Sequence, residues 1–257
     1  MLRIERISKT FNPGTANETL ALDNFSLFLM RGEFVVVIGG NGSGKSTALN
    51  AVAGVFPVDE GRIILDGDDA TMLPEYKRAK YLGRVFQDPM LGTATNMTIE
   101  ENLAIALRRG TRRGLRNGVP KSERDTYREA LTQLDLGLEN RLTNKMGLLS
   151  GGQRQAVTLL MATIKKPKLL LLDEHTAALD PKTAAKVLEL SDKLIRRDNL
   201  TTLMVTHNMK DAIQYGDRLI MMESGRIIFE ASGDEKRALS VKDIVEKFSM
   251  ARAKEEY

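Results

Sequence analysis

Unbroken apolar runs alternate with helical patterns along the chain, and this alternation predicts an α/β fold. Phe34–Ile38 is apolar and mostly β-branched, and Leu169–Leu172 consists of leucine alone. Runs of this length without polar alternation are typical of strands buried on both faces of a sheet. Asp180 and Pro181 form a good N-cap and first-position pair for a helix to about residue 197. Leu200–Thr206 predicts a further strand beyond that helix.

Shorter β-like segments separated by turns predict an antiparallel part of the fold. A cluster of turn-forming residues lies between two such segments at residues 12–18, and Ser224-Gly225 divides another pair into a hairpin. The expected strands cover residues 3–8, 21–30, 62–67, 82–86, 218–223 and 226–231, and a short helix is expected over 74–81.

The pattern becomes helical between residues 88 and 165. Thr98 and Glu101 have capping-box spacing at the start of a helix that runs to about residue 109. A second helix is expected from Ser122, its cap, to Leu136, with Gly137 stopping it. A third is expected over residues 154–165.

These elements predict one domain with an insertion. Its α/β core comprises residues 1–87 and 166–233 and includes an N-terminal antiparallel β subdomain. The α-helical subdomain inserted into this core covers residues 88–165, and a charged, amphipathic and helical tail covers residues 234–257.

Composition narrows the class of protein. The net charge of +4 over 257 residues is spread along the chain, so it argues only weakly for nucleic acid or anionic lipid as a partner. Cysteine is absent, which excludes a disulfide framework and a thiolate metal site. No apolar run is long enough to span a bilayer, and residues 1–6 lack the apolar core of a signal peptide. We therefore expect a cytoplasmic protein, in which any membrane role passes through a partner chain.

The chemistry of the chain is concentrated first in a glycine-rich loop that follows the strand at Phe34–Ile38. This loop fits the pattern G-x-x-x-x-G-K-[ST], and a helical segment follows it. Its residues are Gly39, Gly40, Asn41, Gly42, Ser43, Gly44, Lys45, Ser46 and Thr47. Such a loop turns backbone N–H groups around phosphate oxygens at a helix N-terminus. We expect Lys45 to reach the β- and γ-phosphates of a nucleoside triphosphate, and the Ser46 hydroxyl to bind Mg²⁺.

Polar side chains follow two of the other predicted buried strands. Asp173 and Glu174 come directly after the leucine run, and His207 follows the strand over residues 200–206. Ligands of open parallel sheets bind outside the carboxyl ends of the strands. We expect Asp173 to help hold Mg²⁺, Glu174 to act as general base on the attacking water, and His207 to contact the γ-phosphate.

A second anion site is predicted at Ser150, Gly151, Gly152 and Gln153. Ser150 and Gln153 have capping-box spacing, while two glycines in the first turn of a helix weaken it by about 1 kcal/mol each relative to alanine. This weakening is explained if a phosphate approaches the helix N-terminus closely. Since the glycine-rich loop already holds one nucleotide, the second site suggests that two copies of the chain share two nucleotides.

Together these residues resemble the ATPase subunits of ATP-binding cassette transporters over nearly the whole chain. The matching segments are Gly39–Thr47 (Walker A), Gln87 (Q-loop), Leu149–Gln153 (signature), Leu169–Glu174 (Walker B), Ala178–Asp180 (D-loop) and His207 (switch histidine).

The resemblance implies a P-loop NTPase core of the RecA-like type, with ATP and Mg²⁺ as cofactors. It implies an ATP-dependent homodimer, arranged head to tail, in which each nucleotide lies between one Walker A loop and the partner's signature and D-loop, including Asp180. By resemblance Phe11 stacks on adenine, although the sequence alone favours a buried core phenylalanine at this position. Gln87 would contact Mg²⁺ and the attacking water.

The resemblance also implies partners outside the chain. Within the family, the chain resembles the ATPase subunits of bacterial importers of small organic solutes, amino acids among them. In these systems a separate integral membrane permease and an extracytoplasmic solute-binding protein complete the transporter, and the ATPase is peripheral on the inner face of the membrane. The alternative is a soluble ATPase of the same family that acts on nucleic acid or ribosomes. Such proteins typically carry long coiled coils or two cassettes, which this chain lacks, so no nucleic acid is expected.

Two features depart from this pattern. His175 stands where the family usually has proline, and we interpret it as a packing trait of a subfamily rather than a change of base. Residues 108–118 carry five arginines and no acidic residue. We interpret this segment as a solvated loop, with contact to lipid headgroups or an acidic partner as the alternative.

Overall fold

The structure, a computed structural model, describes residues 1–111 and 118–255 and contains two sheets. The first has the order β2-β1-β4-β5 and is antiparallel. Its strands are β1 (Leu2–Phe11), β2 (Thr19–Leu29), β4 (Glu60–Leu65) and β5 (Asp68–Asp69). The second has the order β10-β9-β3-β8-β7-β6 and is parallel except for the β9–β10 hairpin at its edge. Its strands are β3 (Phe34–Gly39), β6 (Leu82–Val85), β7 (Leu169–Asp173), β8 (Thr201–Val205), β9 (Arg218–Glu223) and β10 (Arg226–Ser232).

Nine α-helices are found within the described residues. They are α1 (Lys45–Ala53), α2 (Glu75–Arg78), α3 (Ile99–Leu107), α4 (Arg124–Thr132), α5 (Gly151–Thr163), α6 (Pro181–Asp198), α7 (Met209–Gln214), α8 (Gly233–Ala238) and α9 (Val241–Glu255). The two predicted capping boxes are present: Thr98 caps α3 with Glu101, and Ser150 caps α5 with Gln153.

The central strands of the six-stranded sheet are buried on both faces. Val35 and Val37 of β3 join a core cluster shared with the antiparallel sheet and α1, whereas Phe34, Val36 and Ile38 join a second cluster on the opposite face. Leucines of β7 divide between the same two clusters in the same alternating way. Burial on both faces explains why these strands show no polar alternation. A third cluster gathers apolar residues of α3, α4 and α5, and the proposed subdomain boundaries stay a prediction.

The prediction for the second insertion helix is wrong at both ends. The second insertion helix begins with a 3₁₀ turn over residues 121–123 rather than at a Ser122 cap, and α4 proper ends at Thr132 rather than at Leu136. Leu134 and Asp135 make hydrogen bonds to carbonyls three residues back, which tightens and ends the helix. The tail is two helices, because Ser240 caps a new helix with Asp243 three residues on.

A buried arginine secures the helix that follows the glycine-rich loop. Arg78 is 1% exposed, and its guanidinium donates to the carbonyls of Ala51 and Val52 in the last turn of α1. The same group also donates to the carbonyls of Leu73 and Thr71. Burial lowers the pKa of Arg78, yet a cation at a helix C-terminus satisfies carbonyls that have no partner within the helix.

We predict that Arg78→Met lowers the free energy of unfolding by on the order of 3 kcal/mol, because buried carbonyls lose their donor. Urea unfolding would measure the loss. Lys77→Met, an exposed neighbour in α2, is the matched control and should change stability by less than about 0.5 kcal/mol. Equal effects of the two substitutions would contradict the role of Arg78.

Candidate functional site

Strands β3, β8, β7 and β6 end at one edge of the sheet because they are parallel neighbours. Val37 of β3 pairs with Val205 of β8, and Val205 pairs in turn with Asp173 of β7. Val85 of β6 is in register with Leu172. The glycine-rich loop, His207, the two carboxylates and Gln87 therefore follow strand ends that lie side by side. Gln87 itself is exposed.

The loop at residues 39–47 has the backbone geometry of a phosphate cradle. Its turn is closed by a hydrogen bond from the Ser43 N–H to the Gly40 carbonyl. Gly42 and Gly44 have φ of 80° and 97°, in the left-handed region that favours glycine. A Cβ on Gly44 would lie 2.5 Å from the Ala21 carbonyl oxygen. No side chain caps the N-terminus of α1, so its first N–H groups remain available to an anion.

Two features of this loop fit a bound phosphate. Ser43 is 3% exposed, and its hydroxyl has no hydrogen-bond partner within the described residues. A buried hydroxyl without a partner is unfavourable unless a ligand completes it. At Gly39, a Cβ would lie 2.5 Å from the Met222 carbonyl oxygen and would also meet the Ser43 hydroxyl. The space around Ser43 is thus kept free of side chains.

Lys45 supplies a buried positive charge at the base of the loop. Its amine donates to the carbonyls of Gly39 and Gly40, at 3.0 and 2.8 Å. Burial lowers the pKa of Lys45, while the carboxylates of Glu174, Asp173 and Glu223 raise it. An amine held only by carbonyl oxygens and nearby carboxylates is placed to interact with the additional negative charge of a phosphate.

Asp173 and Ser46 form an oxygen-rich pair suited to Mg²⁺. Arg84 Nη2 lies 3.3 Å from Asp173 Oδ2, and the Ser46 hydroxyl, in the first turn of α1, is near enough to affect the pKa of the same carboxylate. Burial raises the pKa of Asp173, and Arg84 and Ser46 oppose that rise. In the described part of the chain, no group of three or more His, Asp or Glu side chains could hold a metal alone. One carboxylate and one hydroxyl, with phosphate oxygens and water, are a common magnesium environment.

Glu174 and His207 face each other across the edge. Glu174 Oε2 lies 3.2 Å from His207 Nδ1, with the histidine 60% exposed and the glutamate 17% exposed. They line a cleft of about 280 Å³ together with Leu179 and Asp211. Burial raises the pKa of Asp211, and His207 partly opposes the rise. A carboxylate hydrogen-bonded to an imidazole can accept a proton from water while the imidazole holds it in orientation.

Phe11 lies at the end of β1 and is half-buried. Its ring packs edge-to-face on Phe56 with centroids 5.2 Å apart, and the Lys9 amine lies 5.7 Å from its centroid. The sequence alone favours a buried core phenylalanine at this position, whereas the structure leaves Phe11 only half-buried at the end of its strand. Stacking of Phe11 on adenine stays a prediction.

The signature segment lies against the start of α6. Ser150 and Gly151 are exposed, and a Cβ on Gly152 would lie 2.1 Å from Thr183 Cγ2 of α6. Close packing on Thr183 therefore explains why residue 152 is a glycine. Sequence reasoning had explained this glycine only by the approach of an anion. Gly151 has no such close contact, since the nearest atom, on Leu179, is at 3.4 Å. The signature and the Asp180 cap of α6 thus share one surface.

Sequence reasoning missed two polar side chains at the site, Arg84 and Thr183, and the buried partner of His175. Arg84 bridges Asp173 and Asn50, and Thr183 contacts Gly152 as described. His175 turns away from Glu174 and is 2% exposed, with Nε2 3.0 Å from Ser191 Oγ. Burial lowers the pKa of His175 to about 4. A charged residue within the short apolar strand β6 was the available signal for Arg84. The partners of Thr183 and His175 are distant in sequence and give no local signal.

A family model described as ABC transporter matches residues 22–177. The chain belongs to the ABC transporter family. A tyrosine transport ATP-binding protein of Clostridioides difficile is 46% identical over 251 residues, which are 98% of this chain and 100% of that protein. A spermidine/putrescine import ATP-binding protein of Haemophilus influenzae is 35% identical over 91% of this chain, which spans only 59% of that longer protein.

Solved structures of the ABC family have the same fold. A dimeric ATP-binding cassette in a post-hydrolysis state, bound to ADP and Pi, has a TM-score of 0.77 and 32% identity. The match covers 90% of this chain and 98% of that one. Three predictions are confirmed. They are the P-loop NTPase fold with its antiparallel β and helical parts, the importer-type ABC ATPase subunit, and ATP as its ligand.

Within the described residues, no helix is long and apolar enough to cross a membrane. Of the arginine-rich segment, residues 112–117 lie outside the described residues.

We predict that Gly152→Ala lowers the free energy of unfolding by about 1–3 kcal/mol, because the new methyl group overlaps Thr183. Helix propensity alone would give a gain of about 1 kcal/mol. The double variant with Thr183→Ser, which removes the clashing methyl, should regain most of the loss in thermal or urea unfolding. Gly151→Ala is the control within the same turn and should be neutral or stabilising. A stabilised Gly152→Ala protein would show that the glycine has no packing role.

Proposed function

We propose that two copies of this chain pair head to tail around two Mg-ATP and drive a separate membrane permease of an amino-acid importer. The observation that carries the proposal is the division of the site between two surfaces. The cradle, with Lys45 and the Glu174–His207 pair, lies at the carboxyl edge of the sheet. The exposed helix N-terminus at Ser150 belongs to α5, beside the start of α6. A similar cassette is a dimer with ADP and Pi bound, which supports a second copy as the source of the missing half.

In this arrangement hydrolysis depends on positioning and charge stabilisation. Lys45 and the N–H groups of the cradle bind the phosphates, and Ser150, Gly151 and Gln153 of the partner close the other side. Glu174 takes a proton from the attacking water, oriented by His207 and Gln87. Asp173 and Ser46 would hold Mg²⁺, which neutralises phosphate charge when bound. ATP stabilises the closed dimer, and its hydrolysis allows the dimer to open.

The permease is proposed to dock beside Gln87. Two large apolar side chains that closely follow Gln87 in the chain, Met90 and Leu91, are exposed by 47% and 70%. Exposed apolar patches mark interaction sites, and this one lies close to the residue proposed to contact Mg²⁺ and water. Docking there would place the chain on the inner face of the membrane, with an extracytoplasmic solute-binding protein delivering the cargo from the other side.

The proposed cargo is tyrosine or a related aromatic amino acid. It rests on the Clostridioides difficile relative, which matches this chain over its full length and is named for tyrosine transport. The spermidine/putrescine relative is less similar and extends well beyond the matched region.

We predict that Glu174→Gln retains ATP affinity while turnover falls by on the order of a hundredfold or more. The amide keeps the shape of the side chain but accepts a proton from water poorly. ATPase rates, ATP affinity by calorimetry and size-exclusion chromatography with ATP would measure turnover, binding and a trapped dimer. Glu189→Gln, the same change at an exposed position of α6, is the control. Wild-type turnover in Glu174→Gln would refute its role as base.

We expect deletion of the gene to abolish uptake of labelled tyrosine by intact cells. The wild-type gene should restore uptake, and the Glu174→Gln gene should not. Uptake of methionine and spermidine, measured in parallel, should be unchanged. Normal tyrosine uptake in the deletion strain, with loss of another solute, would contradict the proposed cargo while leaving the ATPase assignment intact.

A further inference from the structure

The residue next to Glu174 is buried beneath the turn that joins β7 to α6. His175 is 2% exposed, whereas the remaining residues of the turn, 174 and 176–180, are half-buried or exposed. The ring therefore points into the protein, while Glu174 points into the cleft with His207. The side chains of Glu174 and His175 thus lie on opposite sides of the turn.

The second contact of Ser191 bears on the direction of the hydrogen bond that this imidazole makes. Ser191 Oγ lies 3.0 Å from His175 Nε2 and donates its single proton to the Val187 carbonyl at 2.7 Å. A serine hydroxyl has one proton to donate. With that proton on the Val187 carbonyl, Ser191 accepts from His175, and the histidine then carries its own proton on Nε2.

Ser191 is a polar position in an otherwise apolar buried stripe of α6. The other buried residues of this helix are Val187, Leu188, Leu194 and Ile195. The same helix begins at its Asp180 cap and packs on the signature at Gly152 through Thr183. The hydrogen bond from His175 thus joins the turn that carries Glu174 and the D-loop to the helix that contacts the signature.

The backbone at Glu174 needs such support. Its φ is 42°, a left-handed conformation that is unusual for a residue with a side chain. Two hydrogen bonds hold the main chain at this point. The Glu174 N–H donates to the Val205 carbonyl, and the Ala177 N–H donates to the Glu174 carbonyl. The buried ring of His175 fixes the following residue from the opposite side of the turn.

We propose that His175 is a positioning residue, which orients Glu174 by tethering its turn to Ser191 of α6. This inference rests on the proposed role of Glu174 as base. It goes beyond a packing trait, because the donor nitrogen, and not only the volume of the ring, is required.

Substitutions that separate the donor from the volume test the proposal. His175→Leu should lower kcat by about tenfold with the KM for ATP within about twofold, because a misplaced base affects the chemical step and not ATP binding. Ser191→Ala should do the same. His175→Gln, which keeps an N–H donor, should recover most of kcat. Ser249→Ala, which removes a comparable hydroxyl bond to a carbonyl four residues back in α9, should leave kcat at the wild-type level.

The double variant His175→Leu/Ser191→Ala separates positioning from stability. Removing both partners leaves no unpaired polar group, so thermal stability should return towards wild type. The kcat value should stay low, since the tether is absent. Recovery of kcat together with stability would overturn the proposal and leave His175 a packing residue.

The free protein provides a readout independent of turnover. The chain has two histidines, so ¹⁵N-histidine labelling gives two imidazole patterns, and His175→Gln identifies which belongs to His175. The Nε2–H tautomer is expected in the wild type and a mixture of tautomers in Ser191→Ala. An Nδ1–H tautomer in the wild type would overturn the assignment. Wild-type turnover of Glu174→Gln would instead refute the proposed function, and this proposal with it.

Discussion

The burial of β3 on both faces is the constraint from which the arrangement of the site follows. Its side chains alternate between two hydrophobic clusters, so polar residues can follow this strand only at its ends. The neighbouring strands β8, β7 and β6 run parallel to it. Their carboxyl ends consequently deliver the phosphate cradle, His207, the carboxylate pair and Gln87 to one edge. A ligand at this edge meets groups that lie far apart in sequence.

Buried cations stabilise the helices around this edge. Arg78 donates to the last carbonyls of α1, the helix that continues from the phosphate cradle. Lys236 is 4% exposed, and its amine donates to the carbonyls of Ile213, Tyr215 and Gly216 at the end of α7, the helix that follows His207. In both cases a cation satisfies helix-end carbonyls that have no partner within the helix. Both helices that flank the proposed catalytic residues are thus fixed at the end remote from the site.

The parts of this structure that local pattern determines could be predicted from the sequence. The unbroken apolar run at Phe34–Ile38 and the glycine spacing after it gave the central strand and the cradle, and two capping boxes gave the starts of α3 and α5. Tertiary contacts were not accessible in this way. Helix α4 is bounded at both ends by hydrogen bonds to carbonyls three residues back, and the capping residues in the sequence do not predict these bonds. The packing of Gly152 on Thr183 and the bond from His175 to Ser191 depend on how helices α5 and α6 meet. The roles assigned to individual site residues rest on chemistry and resemblance.

The central claim is that each nucleotide site is assembled from two copies, and mixing two defective variants tests it most directly. Lys45→Ala disables the cradle, and Ser150→Asp keeps an N-cap residue on α5 while placing a negative charge where the partner's phosphate should lie. Each variant alone should be almost inactive. In an equimolar mixture, half of the dimers combine both variants and contain one intact site, so ATPase activity should rise to roughly a quarter of the wild-type value. A mixture no more active than its components, or full activity of Ser150→Asp alone, would contradict the account.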